Sequence, residues 1–131
     1  MRNEFTVNLK RARTSASRDR NRLHKEPVLR QYLVLAHQIK NTLESSPNRT
    51  LKEISGWIGY SPARMSQIMS LLFLSTFIQE EILFSTKSFL HQISMNTAHQ
   101  ISRELLWDKQ KELWLHEIND LKQHEPRRRN T

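Results

Sequence analysis

Cysteine is missing from the whole chain. Its absence excludes disulfides, thiolate zinc sites and a cysteine nucleophile, and it suits a reducing cytosol. Glycine is nearly missing as well, with Gly56 and Gly59 the only two. Phosphate-cradling loops and strained catalytic turns need more backbone freedom than two glycines supply. No serine sits in a glycine elbow, and no histidine pair has H-E-x-x-H spacing. His91 and His99, like His116 and His124, lie eight residues apart, too far for one helical metal site. The acids Glu80, Glu81, Glu104, Asp108 and Glu112 read as helix caps and solvated faces. The expectation is therefore a protein that is not an enzyme, with no cofactor and no metal. No apolar run is long enough to span a bilayer, and the N-terminus carries charge without the apolar stretch of a secretory signal. A cytoplasmic location without a membrane partner is expected.

What the chain does have is positive charge, unevenly placed. Its 131 residues carry a net charge of +8. Residues 1–30 hold nine Lys/Arg against three acids, residues 31–122 hold nine of each, and residues 123–131 hold three Arg against one Glu. The excess thus lies at the two ends, around a neutral middle. Such ends suit a polyanion, because each Lys or Arg placed near a phosphate releases a counterion. They lack the apolar stripe that a membrane-surface helix needs. Three segments follow: a basic flexible arm over 1–26, an all-α domain over 27–122 and a basic tail over 123–131. The arm is poor in residues to bury, so it is expected to be disordered alone. Within it, Glu4 to Leu9 alternates polar and apolar residues and could add a strand to a partner.

The middle segment reads as helices. After Pro27, residues Leu29, Tyr32, Leu33, Leu35, Ala36, Ile39 and Leu43 recur at helical spacing to about Ser45. Thr50 with Glu53 has capping-box spacing and opens a short helix through Ile58. Gly59-Tyr60-Ser61-Pro62 is a turn, and Ser61 and Pro62 are suited to cap and start the next helix. The run Leu71-Leu72-Phe73-Leu74 is expected to end that helix inside the core. Ser75 or Thr76 caps a fourth helix through Leu83, and Ser85–Ile93 reads as a turn with a short helix. Ser94 or Asn96 caps a helix through Leu106. Asp108 caps a last one, with Leu113, Trp114 and Ile118 on one face, ended by Glu125-Pro126. The expected fold is all-α, compact and multi-helical.

Residues 50–72 carry the functional signal, that of a helix-turn-helix. Two crossing helices need a small residue where their backbones approach, and Ser55 stands there. Four positions later Gly59 tolerates positive φ. Ile54, Ile58, Met65 and Ile68 are spaced to lock the pair, with Tyr60 filling the turn. That register turns Ser61, Pro62, Ala63, Arg64, Ser66, Gln67 and Ser70 outward, where the N-terminal part of such a helix enters a major groove. Gln67 can pair with adenine, Arg64 with guanine or a phosphate, and Ala63 can meet a thymine methyl. The serines suit phosphate oxygens, and the helix N-terminus near Ser61 favours a phosphate. Arg11, Arg13, Arg18, Arg20 and Arg22 of the arm could track a neighbouring minor groove or attract phosphates without specificity. Double-stranded DNA is the expected partner, bound by a homodimer on a two-fold site. RNA binding through the arm is a further option.

Three stretches, Leu35-Ala36-His37, Leu51-Lys52-Glu53-Ile54 and Ser61 to Leu72, resemble the helix-turn-helix of ParB/KorB-type proteins. The likeness is closer to small proteins of that type encoded beside serine site-specific recombinases in bacterial mobile elements. Phe77 to Leu83 resembles the segment that follows, and Trp107 to Trp114 resembles the W-x-x-Q-x-x-x-W signature of the recombinase-associated group. The resemblance implies DNA binding in a mobile-element or phage setting, close to the bacterial nucleoid, as a regulator or an accessory factor in recombination or segregation. It also raises an alternative, an adaptor docking on a serine recombinase through its C-terminal aromatic helices. ParB partition proteins carry a nucleotide-binding domain ahead of the helix-turn-helix. Here only the arm precedes the first helix, so nucleotide hydrolysis is not expected. Trp107 and Trp114 lie seven apart, near one face of a continuous helix; core packing is preferred for both over a dimer contact. Trp57 suits either a core edge or a partner contact.

Overall fold

A computed structural model describes residues 26–124. Over these residues the protein is an all-α compact domain of six helices, joined in two places by single 3-10 turns, with no strand. Residues 1–25 of the arm, with the Glu4–Leu9 segment, the Glu125-Pro126 helix end and residues 125–131 of the basic tail lie outside the described residues, while residues 123 and 124 of the expected tail belong to the last helix.

Helix α1 (Val28–Ser45) starts directly after Pro27. It buries Leu29, Leu33, Leu35, Ala36 and Ile39, the positions that a 3.6-residue period brings to one side. Its 18 residues span about 27 Å, long enough to serve two parts of the core. Leu29 and Leu33 pack with Leu71, Leu74, Ile78, Ile82 and Trp114, while Leu35, Ala36 and Ile39 pack with Ile54, Ile58, Met65 and Ile68. Tyr32 and Met95 touch both clusters.

Helix α2 (Leu51–Ile58) opens on a full capping box: Glu53 N–H donates to Thr50 Oγ1 (3.2 Å) and Thr50 N–H donates to Glu53 Oε1 (3.1 Å). It closes on Gly59, at φ 89°, ψ 21°, whose N–H donates to Ser55 O at 2.8 Å. A Cβ there would be strained, so glycine sets this bend. Helix α3 (Pro62–Ser70) follows at once, with Pro62 in its first turn and Ser61 Oγ accepting from Arg64 N–H at 3.1 Å. The 3-10 turn Leu71–Phe73 prolongs it, and the chain then bends by 110° into α4 (Thr76–Phe84), capped by Ser75. A second 3-10 turn, Ser88–His91, leads to α5 (Met95–Ser102), capped by Ser94, and then to α6 (Trp107–His124).

Four local expectations are corrected. Phe73 does not end inside the core: Leu71 and Leu74 are buried, but Phe73 is 69% exposed, because the 3-10 turn rotates it away from them. The helix expected to reach Leu106 ends at Ser102, where the N–H groups of Arg103 and Glu104 bond three residues back and tighten the last turn. The last helix begins at Trp107, so Asp108 lies in its first turn rather than at its cap. Leu113 does not share the buried face: the stripe of α6 is Gln110, Trp114 and Ile118, and Leu113 sits about 100° round from it.

Two polar groups tie the helices together across long sequence gaps. Gln110 is buried; its amide N–H₂ donates to Phe73 O (3.1 Å) and Glu104 O (2.8 Å), and its carbonyl accepts from Ser75 N–H (2.7 Å). Arg30 reaches the C-terminal end of α4, donating through Nε to Ile82 O (2.8 Å) and through Nη2 to Ser85 O (2.6 Å). A guanidinium there satisfies orphan carbonyls and faces the negative end of the helix dipole. No single helix among the described residues is long and apolar enough to cross a membrane.

Candidate nucleic-acid interface

The surface that the sequence singles out is built around α3, and its rigidity starts in the turn before it. Ser55 is 8% exposed and its hydroxyl donates to Tyr60 O at 2.6 Å, so the small residue between the two helices also pins the turn that joins them. Ile54, Ile58, Met65 and Ile68 are each no more than 1% exposed. Helices α2 and α3 are therefore clamped by four buried side chains against α1.

That packing decides which side of α3 is outside. Ser61, Pro62, Ala63 and Ser66 are exposed, while Arg64 and Gln67 are half-buried at the flank of the same face. Arg64 lies with its guanidinium carbon 5.5 Å from the centre of the Tyr32 ring, and Tyr32 in turn meets Tyr60 at 6.5 Å between ring centres. Stacking of this kind orients a guanidinium while leaving its in-plane N–H groups free to donate. Ser70 departs from the expectation. It is half-buried, its hydroxyl donates to Gln67 O (2.6 Å), and it pairs with His99 Nδ1 (2.8 Å), so it joins α3 to α5 instead of facing outward. The five arm arginines, Arg11, Arg13, Arg18, Arg20 and Arg22, lie outside the described residues.

Charge around this face is one-sided. No acid occurs between Glu53 and Glu80. Over residues 27–79 there are five cations and two acids. Arg30 is engaged at the end of α4, Lys40 pairs with Glu44 at 3.3 Å, and Glu53 is taken up by its capping box. Arg49, Lys52 and Arg64 remain beside α2 and α3. Arg49 lies over Trp57 at 5.0 Å, so the half-buried Trp57 is both a core edge and a platform for a cation. From Glu80 to Lys122 seven acids outnumber five cations. The acids thus gather in the part of the chain that follows Gln79.

Sequence reasoning gave no role to the Tyr32 platform, the Arg49–Trp57 pair or the contacts of Gln110 and Arg30. Tyr32 is legible only as one apolar position of α1, because its partners stand 28 and 32 residues further on. His37 is half-buried and bonds to Gln79 Oε1 at 2.9 Å, whose amide donates on to Leu72 O and Leu74 O. The two tryptophans separate: Trp114 is fully buried, whereas Trp107 is 55% exposed and not in the core. Among the described residues no three His, Cys, Asp or Glu are grouped to hold a metal ion. The outward side of α3 is small, hydroxyl-rich and free of acid, with a cation and an amide at its edge, and it is held by a fully packed pair of helices. Set beside known proteins, this chain matches no family model, no curated protein and no solved structure.

Proposed function

We propose that residues 50–72 are a helix-turn-helix and that the protein reads a short site in double-stranded DNA, with α3 in the major groove. One observation carries this reading. The exposed residues of α3 and its cap are Ser61, Pro62, Ala63 and Ser66, with Arg64 and Gln67 alongside, and no acid lies within the surrounding 26 residues from Ile54 to Gln79. A helix facing only water more often carries Glu and Lys on that side. Small residues let a backbone approach a groove floor, and Gln67 and Arg64 have the donor and acceptor sets that adenine and guanine edges match. The arm arginines add phosphate attraction independent of sequence.

The test begins with selection of binding sites from random duplexes by the full chain. Gln67→Ala should then lower affinity by about 1–3 kcal/mol at one base position and relax the preference there. A Gln67→Ala protein that selects the same site with the same strength would remove α3 from the groove.

The resemblance to small recombinase-associated proteins of ParB/KorB type belongs to the same proposal, as does a regulatory or accessory role in a mobile element and a place near the bacterial nucleoid. The alternative, an adaptor that docks on a serine recombinase, is favoured by one observation: Trp107, in the C-terminal aromatic segment, is exposed and not core.

A further inference from the structure

Five large apolar side chains lie exposed around the N-terminal end of α6. Leu105 is 89% exposed, Phe73 69%, Leu106 59%, Trp107 55% and Phe77 38%. They form one face. Gln110 Nε2 bonds both Phe73 O and Glu104 O, which holds Phe73 beside the Glu104–Leu106 corner. Lys111 Nζ lies 4.8 Å from the centre of the Phe77 ring, and Lys111 is one helical turn from Trp107, on the same flank of α6. With roughly 150–250 Å² carried by each large aromatic side chain, this face exposes on the order of 600 Å² of apolar surface, at the top of what a monomer leaves open.

We infer that this face is where a second copy of the chain docks, giving a two-fold dimer. The area supports that occupant: two such faces brought together bury about 1,200 Å², the lower end of what a specific interface needs. The charges support it too. Asp108 and Lys111 both flank Trp107 on α6, and under a two-fold each contact occurs twice, so the Asp108 of one copy can meet the Lys111 of the other. The face begins just beyond the C-terminal end of α3, while Ser61 and Ala63 stand at the other end of that helix. Docking there leaves the outward side of α3 uncovered in both copies. The inference goes beyond the DNA-reading proposal and does not rest on it.

The test uses the full chain without DNA. At about 100 µM, well above the micromolar Kd that an interface at the small end of the range allows, sedimentation equilibrium should give twice the 15.7 kDa chain mass. The double variant Leu105→Glu, Trp107→Glu should sediment as a single chain with its helical circular dichroism unchanged, because both side chains are exposed. Should that variant fail to fold, Phe73→Lys offers the same readout on the other side of the face, and it should halve the mass in the same way. A natural chain that stays monomeric at that concentration overturns the inference, whether the Glu4–Leu9 segment or an unlike protein then covers the face. A folded variant that remains dimeric overturns it equally, since the contact would then lie elsewhere.

Discussion

Replacing Gln110 by leucine is the sharpest test of how this domain is held together. The side chain is 1% exposed and makes three bonds: to Ser75 N–H at 2.7 Å, Glu104 O at 2.8 Å and Phe73 O at 3.1 Å. Leucine fills much of the same volume but satisfies none of them. A polar group left buried without a partner costs about 1–3 kcal/mol. Ser75 N–H is buried and bears the full penalty, whereas the two carbonyls lie nearer the surface and can recover water. The expected loss is about 3–5 kcal/mol, a large share of the ~5–15 kcal/mol that a domain of this size possesses. At about 4–8 °C per kcal/mol, the melting temperature should fall by roughly 15–30 °C, read by circular dichroism or by the emission of the buried Trp114. The Gln110→Glu variant sharpens the argument. Its carboxyl still accepts from Ser75 N–H, but once ionised it faces two carbonyl oxygens. Its proton is then held more tightly in the folded state than in the unfolded chain, so the folded pKa lies above the ordinary ~4.3. Relative to the natural protein, its stability should be greatest below that unfolded value and be lost as pH rises through the folded one. A Gln110→Leu cost under about 1 kcal/mol, with a flat pH difference for Gln110→Glu, would refute the assignment of Gln110 as the tie between α6 and the start of α4.

Other expectations follow from single positions. The two glycines should respond with opposite signs. A Cβ added at Gly56 meets nothing within 4 Å, so Gly56→Ala should stabilise by about 0.5–1 kcal/mol in urea unfolding. Gly59→Ala places a Cβ at φ 89° and should destabilise by about 1–2 kcal/mol. Arg30→Met keeps the buried stem but loses the bonds to Ile82 O and Ser85 O; a loss of about 2–3 kcal/mol is expected, and full stability in the variant would exclude the capping role. Replacing Arg11, Arg13, Arg18, Arg20 and Arg22 by alanine should weaken binding to all duplexes alike and flatten the dependence of log K on log salt, by about one unit of slope per lost phosphate contact, measured by fluorescence anisotropy over a salt series.

The part of the molecule legible in the sequence is the part governed by neighbours along the chain. Thr50 with Glu53, Ser61 with Pro62, and Gly59 between them each act within three or four residues, so the boundaries of α2 and α3 and the bend that joins them are readable before any packing is known. The apolar spacing of Ile54, Ile58, Met65 and Ile68 likewise announces their burial, because helical period alone places them on one side. Where distant segments meet, that legibility stops. Ser70 has the right spacing to face outward, yet His99, 29 residues on, draws its hydroxyl toward α5. Trp107 and Trp114 share one α6 flank, but only Trp114 has helices above it; Trp107 lies past the edge of the core. The W-x-x-Q-x-x-x-W spacing does not announce that its glutamine holds three backbone groups from two other segments. Local propensity and period act over one or two helical turns and are written in consecutive residues. Which side chains find a partner across the fold, and which are left facing out, depends on how six helices stack, and no short stretch of chain contains that information.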